Sequence, residues 1–174
     1  MKLRNLSQAK HLKGKRVLLR VDFNVALRGD EVLDDSRITA IVPTLKYLER
    51  AGVRQVTLVS HMGRPQGRQV KEMSLQPVAK RLSKLLKQPV KFLTLRQALA
   101  TPTNGEPLRL LENIRFEPGE VTNDKALARL LAHLGDIYVN DAFSVCHHTS
   151  ASTVAVARFL PSYAGWFLNA EVQA

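Results

Sequence analysis

Side chains able to hold an anion recur in this sequence just beyond short apolar runs. Arg20, Asp22 and Asn24 follow one run; Ser60, His61, Gly63 and Arg64 follow another; Glu112, Asn113 and Arg115 a third; Asn140, Asp141, His147 and His148 a fourth. Guanidinium forks match phosphate and carboxylate oxygens two at a time. Each charge-assisted bond contributes about 1.5–3 kcal/mol. Brought to one edge, Arg20, Arg37, Arg64 and Arg115 would make a multidentate cradle for a small, highly charged metabolite. Asp22 and Asn24 add an acceptor and an amide beside them, which suits a ligand that also carries a hydroxyl.

The elements that must position these groups are legible in the periodicity. Runs at residues 17–19, 56–59, 90–93, 108–111 and 137–139 are too short for helices and carry few polar breaks. They read as strands buried on both faces. Between them, Ile38, Ile41, Val42, Leu45 and Leu48 fall at helical spacing and end at Ala51-Gly52. Leu75, Val78, Leu82, Leu85 and Leu86 repeat the pattern up to Pro89, and Leu127, Leu130, Leu131 and Leu134 do so again before Gly135. The alternation predicts an α/β domain with a mainly parallel central sheet. Ligands bind beyond the carboxyl ends of such strands, which is where the polar groups fall. Arg37 joins them if Ser36 caps the first long helix.

Composition sets the outer bounds. The chain has 174 residues, with 26 Lys+Arg against 15 Asp+Glu and a formal charge of +11. Its 45% hydrophobic and 24% charged residues are globular values, which excludes a disordered or fibrous chain. One cysteine, Cys146, excludes a disulfide framework and fits a reducing, cytoplasmic setting. The opening residues 1–17 hold no uninterrupted apolar stretch, so no signal peptide is expected, and no segment reaches the roughly 20 apolar residues of a membrane span. The positive excess implies anionic company: nucleic acid, phosphorylated metabolites or acidic membranes. Aromatic residues are only 6%, leaving few platforms on which bases could stack, so nucleic acid is disfavoured. A basic nucleic-acid- or anion-binding module stands as the alternative reading. No glycine-rich nucleotide motif is present. Cys146-His147-His148 is not read as a metal site, because three successive residues rarely aim at one ion. Ser60, His61 and Asp22 lack the strained elbow of a hydrolase nucleophile.

Taken together, RVDFNV (residues 20–25), DDSRI (34–38), SHMGRP (60–65), LLENIRF (110–116), NDAF (140–143) and LPSYAG (160–165) resemble the N-terminal domain of phosphoglycerate kinase, in family order and over nearly the whole chain. The resemblance implies a Rossmann-like three-layer sandwich over residues 1–165, binding 3-phosphoglycerate or 1,3-bisphosphoglycerate. It implies that residues 166–174 begin an interdomain helix, with Trp166 and Phe167 exposed where a second domain docks. That C-terminal nucleotide-binding domain would carry MgATP or MgADP and is absent from this sequence, so the chain would be a monomer, inactive alone and without a cofactor of its own. By motif position, Asp22, Asn24 and Arg37 would hold the carboxylate and hydroxyl end, and Arg37 would also act as the catalytic group facing the transferring phosphoryl. His61, Arg64 and Arg115 would line the other end, with Phe23, Met62, Gly63 and His148 among the substrate contacts. Arg20 and His147 would form the basic surround. Two residues depart from the family pattern. His148 stands where the family has an arginine that grips the substrate phosphate, and Ala26 stands where it usually has proline.

Overall fold

Val17, Leu18 and Leu19 offer no polar side chain to either side, so a strand made of them must be covered on both faces. The computed structural model describes residues 4–101 and 105–173. Residues 1–3 of the segment read as lacking a leader, and Ala174 at the end of the predicted interdomain segment, lie outside the described residues. The strands are β1 (Arg16–Arg20), β2 (Leu27–Arg28), β3 (Glu31–Val32), β4 (Gln55–Val59), β5 (Lys91–Leu93), β6 (Leu108–Leu111), β7 (Ile137–Asn140) and β8 (Ser162–Ala164). Six of them form one parallel sheet in the order β5-β6-β4-β1-β7-β8, and β2 and β3 form a small antiparallel hairpin.

Helices cover both faces. They are α1 (Ser36–Ala40), α2 (Val42–Arg50), α3 (Gln76–Leu86), α4 (Leu95–Ala100), α5 (Lys125–Ala132) and α6 (Trp166–Gln173). On one face Val17, Leu19, Leu58, Leu110 and Val139 pack against Ile38, Leu45, Leu48, Val78 and Leu82. On the other, Leu18, Val59, Leu111 and Tyr138 pack against Leu95, Leu127, Leu131 and Val156. The result is the three-layer α/β sandwich expected, with period-2 alternation along each strand dividing the two cores. Among the described residues, no helix is long and apolar enough to cross a membrane.

Four features differ from the sequence reading. The first long helix is broken at Ile41, because Pro43 has no N–H for the carbonyl of Thr39 and its ring crowds that carbonyl. Strand β5 lies at the sheet edge, so Lys91 is half-exposed and not buried on both faces. The hairpin of β2 and β3, helix α4 and strand β8 are too short to show a period. Ala26 opens that hairpin, its carbonyl accepting the amide of Leu33 at 3.0 Å. Trp166 and Phe167 are half-buried and not exposed, and the Trp166 ring meets Tyr47 edge-on at 5.1 Å.

One buried charge is poorly served. Arg109, 2% exposed, donates from Nε and Nη2 to Thr57 Oγ1 at 3.2 and 3.0 Å, while its Nη1 is buried without a partner. A half-satisfied buried cation costs more than an apolar pair of similar shape. The double variant Arg109→Leu/Thr57→Val is expected to be more stable than the parent by about 1–4 kcal/mol in urea unfolding. Thr57→Val alone should be less stable, since it strips the guanidinium of its acceptor. A double variant less stable than the parent would contradict this account.

Candidate anion-binding site

The order β6-β4-β1-β7 sets four strand exits side by side, and the residues that leave them close on one another. Asn113, two residues beyond β6, ties three segments together. Its Oδ1 accepts the amides of Met62 at 3.2 Å and Arg115 at 3.1 Å, and its Nδ2 donates to the carbonyls of Met62 at 2.7 Å and Met73 at 2.9 Å. Glu112 faces the other way, accepting from Ser74 Oγ at 2.7 Å and the amide of Leu75 at 2.9 Å. It is a structural brace and not part of the cradle.

Gly63 has φ +59, and a Cβ there would lie 2.8 Å from Met73 Sδ. Its left-handed backbone turns the amide toward Asn24 Oδ1, at 3.0 Å, and its carbonyl toward Arg115 Nη1, at 2.7 Å. Asn24 is set in turn by Asp22, whose Oδ1 accepts the Asn24 amide at 3.0 Å. The other carboxylate oxygen of Asp22 accepts from both Arg37 and the Ser144 hydroxyl. Arg37 sits in the first turn of α1 as expected, but Ser36 is the first residue of the helix and not its cap: the cap position is Asp35, and the Ser36 amide donates to Asp34 Oδ1 at 2.9 Å.

These groups enclose a cavity of about 290 Å³ lined by Asp22, Asn24, Arg37, His61, Gly63, Arg64, Arg115, Ser144, Val145 and His148. Three guanidinium groups face one carboxylate, so the cavity is electropositive at neutral pH. His61 is buried, and burial with the neighbouring charges of Arg20, Arg115, Arg37 and His148 pushes its pKa down to about 2. It is a neutral imidazole. Exposed His148 is also held below its ordinary value, by desolvation and by His147, Arg115 and Arg64. Such a site can bind an oxyanion by several charge-assisted bonds at once.

Not every residue read from the sequence lines the cavity. Arg20 is buried behind it and reaches it through His61. The side chains of Phe23 and Met62 lie in the core, 0% and 5% exposed, and only their backbones contribute. Phe23 donates its amide to Ser60 Oγ at 2.8 Å. His147 packs its ring on His148 with centroids 4.0 Å apart and does not reach the cavity. Sequence reasoning missed Ser144 and Val145. The available signal was their place between two polar groups on the exit after β7. Among the described residues, no three His, Cys, Asp or Glu side chains gather to hold a metal ion.

Fold and site define an open parallel α/β protein with a small-anion pocket at the carboxyl edge of its sheet. The family is named by similarity across nearly the whole chain. The family model "Phosphoglycerate kinase" matches residues 6–174, and the chain belongs to that family. It is 49% identical over 173 residues to the phosphoglycerate kinase of Synechococcus elongatus, covering 95% of this chain and 42% of that protein. It is 46% identical over 179 residues to that of a Caulobacter species, covering 100% of this chain and 45% of the relative. The phosphoglycerate kinase structure from Coxiella burnetii superposes with a TM-score of 0.90 at 36% identity, covering 99% of this chain and 44% of that one. The chain thus spans less than half the length of the relatives it matches.

Asn113→Ala would orphan buried backbone groups of Met62, Met73 and Arg115 at once. Its expected cost is about 2–4 kcal/mol in urea unfolding, with weaker binding of inorganic phosphate by the folded fraction. Unchanged stability would show that the exits hold their places without it.

Proposed function

We propose that these residues form the 3-phosphoglycerate-binding part of a phosphoglycerate kinase, which moves a phosphoryl group between 1,3-bisphosphoglycerate and ADP. One observation carries the reading: Arg37, Arg64 and Arg115 converge with Asn24 and His61 on a single cavity. The family membership supports 3-phosphoglycerate as the anion. In this reading residues 1–165 are the substrate-binding domain, and the helix from Trp166 leads to a nucleotide-binding domain corresponding to the remaining length of the relatives. The protein would work as a cytoplasmic monomer.

Phosphoryl transfer asks for alignment and charge neutralisation more than covalent chemistry. Arg115 and Arg64 would hold one anionic end of the substrate while Asn24 and Arg37 take the other. Arg37, about half-exposed at its side chain, can pivot from Asp22 to a transferring phosphoryl group. It would stabilise the charge that develops there. MgATP or MgADP would be held by the other domain. These residues should therefore bind 3-phosphoglycerate without turning over ATP, and turnover by them alone would contradict the division of labour. The nucleic-acid alternative is weaker, because among the described residues no Phe, Tyr or Trp side chain lines the cavity.

His148 makes the reading testable by pH. With its pKa held below the ordinary 6.5, it is uncharged at pH 7–8 and gains its positive charge only as pH falls through that lowered value. Binding should strengthen there, while the phosphate itself gains a proton near pH 6 and confounds the raw profile. His148→Arg removes the confusion by serving as reference. It should bind 3-phosphoglycerate roughly fivefold more tightly than the parent at pH 8, and the advantage should shrink toward pH 5.5. A ratio that stays constant from pH 8 to 5.5 would remove His148 from the phosphate's surroundings.

A further inference from the structure

The two ring nitrogens of His61 have different neighbours. Arg20 Nη2 lies 3.2 Å from Nδ1, whereas Nε2 takes no hydrogen bond from the described residues. A guanidinium carries only N–H donors and stays protonated at any working pH. Nδ1 must then be the acceptor, and the proton of the neutral ring belongs on Nε2.

Arg20 cannot easily turn away. Its Nε donates to Ser152 Oγ at 2.9 Å, and its Nη1 donates to the carbonyl of Val21. Ser152 passes its hydroxyl hydrogen to Glu120 Oε1 at 2.6 Å, and its amide donates to Oε2 at 3.0 Å. Tyr138 donates its hydroxyl to the Ser152 carbonyl at 2.8 Å, fixing the π-helical turn Ala151–Ala155 on which Ser152 rides. Arg20, Glu120, Ser152 and Tyr138 are each 2% exposed. Glu120 is the remote counter-charge of Arg20, relayed by one hydroxyl whose donor direction is set by the carboxylate. Each group has one workable role.

We propose that Arg20 is a positioning residue: its bond to Nδ1, backed by Ser152 and Glu120, holds His61 as the Nε2–H tautomer, a neutral donor toward an oxyanion and neither a base nor a cation. The charged or titratable groups facing His61 are Arg20 from β1, Arg37 from α1, Arg115 beyond β6 and His148 beyond β7, and all four oppose a second proton. Asp22, the one carboxylate among the described residues that lines the same cavity, is engaged by Arg37 and Ser144. A ligand offering a donor at this point would meet another donor. One offering an anionic oxygen would be accepted across the working pH range. On the function proposed above, that oxygen belongs to 3-phosphoglycerate.

Long-range ¹H–¹⁵N correlation spectra of the ¹⁵N-labelled chain read the tautomer directly. The expected pattern is a single Nε2–H tautomer for His61 that does not titrate between pH 8 and 5.5. An Nδ1–H ring, a mixture of tautomers, or a midpoint near 6.5 would overturn the proposal. Arg20→Met should bring such a mixture and midpoint, and Arg20→Lys, which restores a donor, should recover the Nε2–H form in part. A folded Arg20→Met with the parent's spectrum would overturn the proposal too. If Arg20→Met does not fold, the parent spectrum decides. Adding 3-phosphoglycerate should shift Nε2. A locked tautomer without that shift leaves the role of Arg20 standing and counts against the ligand.

Discussion

The carboxylate of Asp22 is the tie on which the site depends. It lies just beyond β1, is 7% exposed, and binds groups from three directions: the Asn24 amide on its own loop, Arg37 on α1, and the Ser144 hydroxyl on the exit from β7. Without it, three like-charged guanidinium groups would face one another across a cavity with nothing to hold the mobile one in place. Like charges disfavour close approach, and a single carboxylate at their margin offsets part of that cost without filling the cavity. On the proposed function, a ligand anion would complete the neutralisation and take over Arg37.

A second buried carboxylate links that region to the last helix. Asp141, next after β7, accepts the Thr44 hydroxyl at 2.6 Å and the Leu168 amide at 2.8 Å, and burial pushes its pKa up. It serves as the N-terminal cap of α6, where four amides have no partner within the helix. Gly165 must be a glycine for this to work, since a Cβ there would lie 2.3 Å from the Asp141 carboxyl carbon. The exit from β7 therefore carries Asp141 to α6 and Ser144 and His148 to the cavity. The start of α6 and the anion pocket are braced by one loop.

Much of this was legible in the sequence, for physical reasons. Continuous apolar runs at residues 17–19 and 108–111 announce strands covered on both faces, and a parallel sheet then forces the residues after them to one edge. That is why Arg37, Arg64 and Arg115 could be placed together without coordinates. What escaped was direction. Arg20 ends its strand with its side chain turned into the second core, and alternation alone cannot say which exit residue points to the cavity and which to the interior. Phe23 and Met62 were read as contacts because they sit inside the motifs, yet their apolar side chains complete the first core. Ser144 and Val145 were missed because a serine and a valine in a loop carry no periodic pattern, and only their place between polar groups on the exit after β7 pointed to them. Strand β8 escaped because three residues give no period to read.

The most direct measure of the central claim is amide chemical-shift mapping with 3-phosphoglycerate. The amides of Asn24, Gly63, Arg64, Arg115 and Ser144 should move along one saturable curve with a shared Kd. Shifts confined instead to the opposite edge of the sheet, around Lys13, Lys15 and Arg50, would contradict it. They would show that the +11 charge attracts the anion diffusely and that the strand exits build no site.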